Sequence, residues 1–205
     1  ALGVDDELNR KMMQYVDAYV VGEGEAPFIE LLTELQAAKN EKRQPDKIIN
    51  QTIRLENGHI KLEWGALPRT DMNTLPRPSF DDIFTDFEGN RVFWTPEDVI
   101  ALYTERGCRY ANKCQFCTIP FGNNIKTSTG ERSAERVAGD IKYFNEKYGI
   151  RIFSFGNETL SGKFMGELTD RLDLLNLNVT LDGYTRTDQF ETKDGKLDMD
   201  LIKIV

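Results

Sequence analysis

Three cysteines lie within one short segment of this 205-residue chain: Cys108, Cys114 and Cys117. Thiolates separated by two residues, as Cys114 and Cys117 are, can reach one metal centre together, and a third from the same segment completes a face of it. Structural zinc takes four protein ligands and iron–sulfur clusters usually take four cysteines. Three thiols therefore indicate a metal centre with one position open to another molecule.

Other interpretations of the cysteines remain open. If His59 or a carboxylate supplied a fourth ligand, the segment would be a non-catalytic zinc or iron–sulfur binding module. Free reduced thiols would need no metal, and the protein would then be a binding domain. An odd number of closely spaced cysteines is a poor basis for disulfides, so a reducing compartment, the cytoplasm, is expected.

Composition argues against several classes of function. Lysine and arginine total 26 against 34 aspartates and glutamates, a net charge of −8, so no nucleic-acid partner is expected. No apolar run is long enough to span a membrane, and the acidic start is not a secretory signal. The one histidine, His59, argues against mechanisms that need two.

The elements that must position the cysteines alternate between strand and helix. Strands are predicted over residues 99–103, 150–155 and 177–184, and Ser133 is the expected N-cap of the helix after the cysteine segment. A second helix is predicted around Phe164 to Leu175, and a third begins at Leu197. This alternation predicts an α/β fold with parallel strands.

Residue types alternate along the second and third strands. Phe153 and Phe155 point away from Ser154, Gly156 and Glu158, which predicts one apolar and one polar face. Active sites of βα barrels lie at the carboxyl ends of the strands, where Glu158 and Arg186 are expected. The alternative interpretation is that these polar residues form only the solvent-exposed face of an incomplete sheet.

The first half contains a different set of elements. Residues 17–35 predict a strand, a turn and a helix whose apolar face is formed by Phe28, Leu31, Leu32 and Leu35. Asn57-Gly58 predicts a hairpin, and three prolines between residues 67 and 80 predict an irregular linker. The expected domains are residues 1–45, 46–97 and 98–205.

The cysteine segment resembles the cluster loop of the radical S-adenosylmethionine (radical SAM) enzymes, whose usual pattern is C-x3-C-x-aromatic-C. Residues 114–117, Cys-Gln-Phe-Cys, match its latter part, whereas five residues rather than three separate Cys108 from Cys114. The resemblance implies that the cysteines hold a 4Fe–4S cluster, that its open iron binds S-adenosylmethionine, and that Phe116 lies against the adenine. Tyr110 is assigned to packing.

Two further sites follow from this resemblance. Gly156-Asn157-Glu158 is similar to the Gly-Gly-Glu element that binds the amino group of the cofactor, and Arg186 is the candidate partner of its carboxylate. Residues 17–35 resemble the end of the cobalamin-binding domain that precedes many radical SAM barrels. The Asp-x-His-x-x-Gly ligand motif is missing, so cobalamin is expected only in a longer parent protein.

The resemblance implies a partial radical SAM (β/α) barrel of three βα units, preceded by an incomplete α/β unit and a β-hairpin. The implied activity is reductive cleavage of S-adenosylmethionine to a 5′-deoxyadenosyl radical, with an electron donor and a small-molecule or otherwise unknown substrate. A methylthiotransferase-like enzyme is the alternative within the family. With three predicted barrel strands and no initiator methionine, the chain is expected to be a fragment that is inactive alone and able to dimerise through its exposed sheet edge.

Overall fold

The computed structural model describes residues 7–46, 49–50, 52–56, 59–63, 70–84, 86–90, 97–108, 110, 114–117 and 130–204. The chain divides into two compact units, Ala1–Thr70 and Asp71–Val205. The domain boundaries after residues 45 and 97 stay a prediction. Within the described ranges, no helix combines the length and the apolar character needed to cross a membrane.

The first unit contains a three-stranded antiparallel sheet and two helices. Helix α1 spans Glu7–Met12 and α2 spans Glu25–Glu41, while the strands are β1 (Ala18–Val20), β2 (Thr52–Glu56) and β3 (His59–Glu63). The strand order is β1-β2-β3. Glu56 pairs with His59, which confirms the predicted hairpin with a two-residue connection; Asn57 and Gly58 themselves lie outside the described residues.

Helix α2 buries a different face from the one predicted. Its buried residues are Pro27, Leu31, Glu34 and Ala38, whereas Phe28, Leu32 and Leu35 are exposed. The prediction was wrong for those three: Leu31 lies on both faces, and the face that is buried contains a glutamate. Glu34 can be buried because Arg43 binds both of its carboxylate oxygens, at 2.6 and 3.2 Å.

The second unit is built on a parallel sheet. Its strands are β4 (Val99–Leu102), β7 (Ile152–Leu160) and β8 (Thr180–Thr185), in the order β4-β7-β8 with both pairings parallel. A short antiparallel ribbon of β5 (Glu105–Arg106) and β6 (Gly130–Glu131) lies outside this sheet. The predicted α/β class with parallel strands is confirmed.

The helices of this unit are α3 (Asp81–Phe84), α4 (Ala134–Tyr148), α5 (Gly162–Leu174) and α6 (Met199–Ile204), with a 3-10 helix at Thr187–Phe190. Helix α3 precedes the strands, and the longer helices follow them. Ser133 caps α4 as predicted, because its hydroxyl accepts a hydrogen bond from the Arg136 amide. Ser161 caps α5 in the same way. Both helices share one core with β4 and β7, centred on Ile100, Ile141, Phe144, Phe153 and Leu168.

Strand β7 extends further than the sequence predicts. It continues to Leu160, so Gly156-Asn157-Glu158 lies inside the strand instead of ending it. Its pairing with β8 is regular up to Phe155, shifts register, and resumes where Leu160 pairs with Thr185. The irregularity therefore spans residues 156–159, which include the three residues with the predicted cofactor role.

A proline-rich segment, residues 71–81, runs along α4. Its contacts fall on one side of the helix because they recur every three to four residues. They join Asn73 to the Ser133 amide, the Leu75 carbonyl to Arg136, Arg77 to Asp140, Phe80 to Phe144, and Asp81 to Lys147. Part of the predicted irregular linker is therefore a packed segment of the second unit.

Candidate functional site

Three of the predicted site residues follow or lie near the carboxyl ends of strands in the second unit. Because β4, β7 and β8 are parallel, their carboxyl ends meet at one edge of the sheet. Cys108 follows β5 and therefore comes shortly after the end of β4, Glu158 lies near the end of β7, and Arg186 directly follows β8.

The three cysteines are free and half-buried. The Cys108 sulfur accepts a hydrogen bond from the Tyr110 amide at 3.4 Å. The Cys117 amide donates to the Cys114 carbonyl at 3.2 Å, and Phe116 in this turn is 91% exposed. Across the described residues, no three histidine, cysteine or acidic side chains gather closely enough to hold a metal ion. The segment supplies thiol donors without a preassembled ligand group.

Gly156 allows an aromatic ring to lie on the polar face of the sheet. A β-carbon at this position would lie 2.6 Å from Cζ of Tyr103, which is closer than atoms can approach. Tyr103 itself is 64% exposed. Sequence reasoning missed this residue, although it ends the predicted first strand and shares the outward parity of Val99 and Ala101.

Asn157 joins β7 to the end of β4. Its side chain is 5% exposed; Oδ1 accepts a hydrogen bond from the Thr104 amide at 3.0 Å, and Nδ2 donates to the Thr104 hydroxyl at 2.8 Å. Its role as a cofactor contact stays a prediction. The structure shows that its amide group links β7 to Thr104, which lies between β4 and β5 and four residues before Cys108.

Replacing Asn157 by alanine is expected to lower the free energy of unfolding by about 2–4 kcal/mol, because two buried Thr104 groups lose their partner. Urea denaturation measures this change. Asn178→Ala, at an exposed position before β8, is the matched control and should shift stability by less than about 0.5 kcal/mol. Equal stability of the two variants would contradict this role of Asn157.

The polar face predicted from the alternation of the second and third strands is confirmed for β7 and β8. Phe153 and Phe155 are buried, while Gly156 and Glu158 are exposed on the opposite side. On that side the Ser154 hydroxyl donates to Oδ2 of Asp182 across the β7–β8 pair at 3.0 Å. Glu158 thus presents its carboxylate on a polar surface at the carboxyl edge of the sheet.

Arg186 belongs to a cluster at the end of β8. Its guanidinium Nε is 3.1 Å from Oδ1 of Asp188 and its Cζ lies 4.2 Å from the centre of the Tyr110 ring. Hydrogen bonds from Arg186 lower the pKa of Asp188, and Asp188 in turn raises the pKa of Arg186. Sequence reasoning missed Asp188 and assigned Tyr110 to packing alone.

No protein-family model matches the sequence. A protein of Pyrococcus horikoshii named uncharacterized methyltransferase PH0819 is 27% identical over 195 residues, which cover 93% of this chain and 39% of that protein. The chain thus spans about two fifths of the length of this curated relative.

A solved structure is also similar. It is the radical S-adenosylmethionine methyltransferase TsrM from Kitasatospora setae, with cobalamin and a [4Fe-4S] cluster bound. The match has a TM-score of 0.50 and 19% sequence identity, and covers 83% of this chain and 34% of that one. This likeness is one of fold.

Proposed function

We propose that this chain is the part of a radical SAM methyltransferase that holds a 4Fe–4S cluster and S-adenosylmethionine. The observation that carries the proposal is that the segment with the three free cysteines follows the first strand of a parallel sheet in the chain. The relative named a methyltransferase and the fold shared with TsrM support the same class. On this proposal the sheet forms three strands of a partial barrel.

The donor set fits such a cluster in its chemistry. Cys108, Cys114 and Cys117 would hold three of the irons as thiolates, which leaves the fourth iron for the amino and carboxylate groups of S-adenosylmethionine. When bound, the cluster would supply the electron that cleaves S-adenosylmethionine to methionine and a 5′-deoxyadenosyl radical. The protein's share is binding, orientation and exclusion of water.

The surrounding residues would orient the cofactor. Phe116 would lie against the adenine, for which its 91% exposed ring is accessible. The exposed Glu158 carboxylate would accept hydrogen bonds from the cofactor's ammonium group. Gly156 has no side chain that would block the cofactor next to Glu158. Arg186 would face the carboxylate group of S-adenosylmethionine. A small-molecule substrate and an electron donor in the cytoplasm complete the proposal, and a cobalamin site would belong to a longer protein.

Anaerobic reconstitution with iron and sulfide tests this proposal. We expect about four irons and four sulfides per chain, as a 4Fe–4S cluster requires. Metal analysis of the protein as purified runs in parallel. One tightly bound zinc per chain, or no iron retained after gel filtration, would overturn the proposal in favour of a zinc module or a binding domain without metal.

Replacing Glu158 by glutamine is expected to weaken binding of S-adenosylmethionine to the reconstituted protein about tenfold, because a charge-assisted hydrogen bond is lost. Equilibrium dialysis with labelled S-adenosylmethionine measures the dissociation constant. Glu135→Gln, at an exposed position in the first turn of α4, is the control and should leave it unchanged. Unaltered affinity in Glu158→Gln would remove this residue from the site.

A further inference from the structure

Tyr110 connects the cysteine segment to the end of the third parallel strand. It is one of the five residues between Cys108 and Cys114, and its hydroxyl lies 3.1 Å from Oδ1 and 3.2 Å from Oδ2 of Asp188. Gln189 donates a hydrogen bond to the same hydroxyl. These contacts join positions that are 78 and 79 residues apart in the chain.

The other side of this cluster is the predicted cofactor residue Arg186. Its Nε and Nη2 groups bind the two oxygens of Asp188 at 3.1 and 3.2 Å, a fork geometry that fixes both side chains. The guanidinium carbon lies 4.2 Å from the Tyr110 ring centre, within the range of a cation–π contact. Tyr110 therefore touches the Arg186–Asp188 pair through both its ring and its hydroxyl.

The backbone of Tyr110 acts on the first cysteine. Its amide donates to the Cys108 sulfur at 3.4 Å, so the residue that anchors the segment also contacts a thiol. Restraining the Tyr110 side chain at β8 consequently restrains the position of that sulfur. The contact between the Tyr110 ring and Arg186 also restrains Arg186 at the carboxyl edge of the sheet, where Glu158 lies.

We propose that Tyr110 is a positioning residue, which holds Cys108 in place at the carboxyl edge of the sheet by docking on Asp188 and Arg186. The proposal rests on the proposed function, because the positioned thiol of Cys108 would be a ligand of the cluster. This role accounts for the five-residue spacing between Cys108 and Cys114, because that stretch contains Tyr110, whose side chain contacts residues just after β8.

The test uses Tyr110→Phe, Asp188→Ala and their combination, each without metal. Phenylalanine keeps the ring over Arg186 and removes the hydroxyl. We expect iodoacetamide to alkylate Cys108 about five- to tenfold faster in each single variant, since one hydrogen bond to a charged group is lost. Peptide mass spectrometry measures the rate at each cysteine separately. The double variant should match Asp188→Ala, because the Asp188 contact that Tyr110→Phe removes is already lost there.

Two controls separate positioning from general loosening. Tyr15→Phe changes an 87% exposed tyrosine of the first unit and should leave all rates unchanged. General destabilisation would accelerate alkylation of Cys108, Cys114 and Cys117 alike, whereas lost positioning acts most strongly on Cys108. Rates equal to those of Tyr15→Phe, uniform acceleration, or additive effects in the double variant would overturn the proposal.

A second readout links the positioning role to the cofactor. In reconstituted protein, Tyr110→Phe should weaken S-adenosylmethionine binding at least threefold while the iron content of the sample is matched to wild type. Unchanged affinity would contradict a role toward the cofactor site. If wild-type protein takes up no iron, the proposed function fails, but the alkylation rates still decide whether Tyr110 positions Cys108.

Discussion

Replacing Asp140 by asparagine is expected to lower the free energy of unfolding by about 3–5 kcal/mol, as the loss of one partner of a buried ion pair does. Asp140 is 1% exposed and lies among three arginines. Its carboxylate oxygens are 2.7 Å from Nε of Arg77, 2.9 Å from Nη1 of Arg132 and 3.6 Å from Nε of Arg136. Without the carboxylate, three guanidinium groups would repel one another with no anion between them.

The burial of Arg132 makes this effect large. Burial lowers the pKa of Arg132, and the negative charge of Asp140 is the influence that opposes it. Arg77 comes from the proline-rich segment, so the same substitution also releases that segment from the middle of α4.

Chemical denaturation measures the Asp140 effect. Asp170→Asn is the matched control, because Asp170 is exposed on α5 and its substitution should change stability by less than about 0.5 kcal/mol. Limited proteolysis between residues 71 and 81 should accelerate in Asp140→Asn alone. Equal unfolding midpoints for the two variants would show that the arginines do not depend on this carboxylate.

Replacing any one of the three cysteines by alanine is expected to reduce bound iron from about four to less than about one per chain, because a cluster held by three thiolates has no spare protein ligand. Iron and sulfide analysis after anaerobic reconstitution measures this loss. The effect should be the same for Cys108, Cys114 and Cys117, although the first is separated from the others by the longer spacing.

His59→Ala is the control that distinguishes the cluster from zinc. His59 is exposed on β3 and was the candidate fourth ligand of a zinc site. The cluster account predicts unchanged iron in this variant. Full iron retention in a cysteine variant, or metal loss in His59→Ala, would contradict the three-cysteine ligand set.

Local patterns predicted the parallel sheet well. The alternation of Phe153 and Phe155 with polar residues gave the two faces of β7, and Ser133 gave the start of α4. These features depend on strand parity and on one side-chain cap, both of which are properties of a few neighbouring residues. The end of β7 was missed because its irregular pairing depends on β8, more than twenty residues later.

The contacts around the candidate site could not be predicted from local patterns. Asn157 was read as part of a cofactor motif, but its partner Thr104 is 53 residues away. Tyr110 and Asp188 are 78 residues apart, and no periodicity relates them. The burial of Glu34 could not be predicted for the same reason, since it depends on Arg43 beyond the end of the helix.

The central claim is an open-iron cluster that binds S-adenosylmethionine, and EPR spectroscopy of the reconstituted, reduced protein tests it most directly. Spectra are recorded under anaerobic conditions with and without S-adenosylmethionine, and with S-adenosylhomocysteine as a control for general effects of ligand addition. The account predicts a 4Fe–4S signal whose g-values shift on addition of S-adenosylmethionine. A cluster signal that is identical with and without the cofactor, or no cluster signal at all, would contradict it.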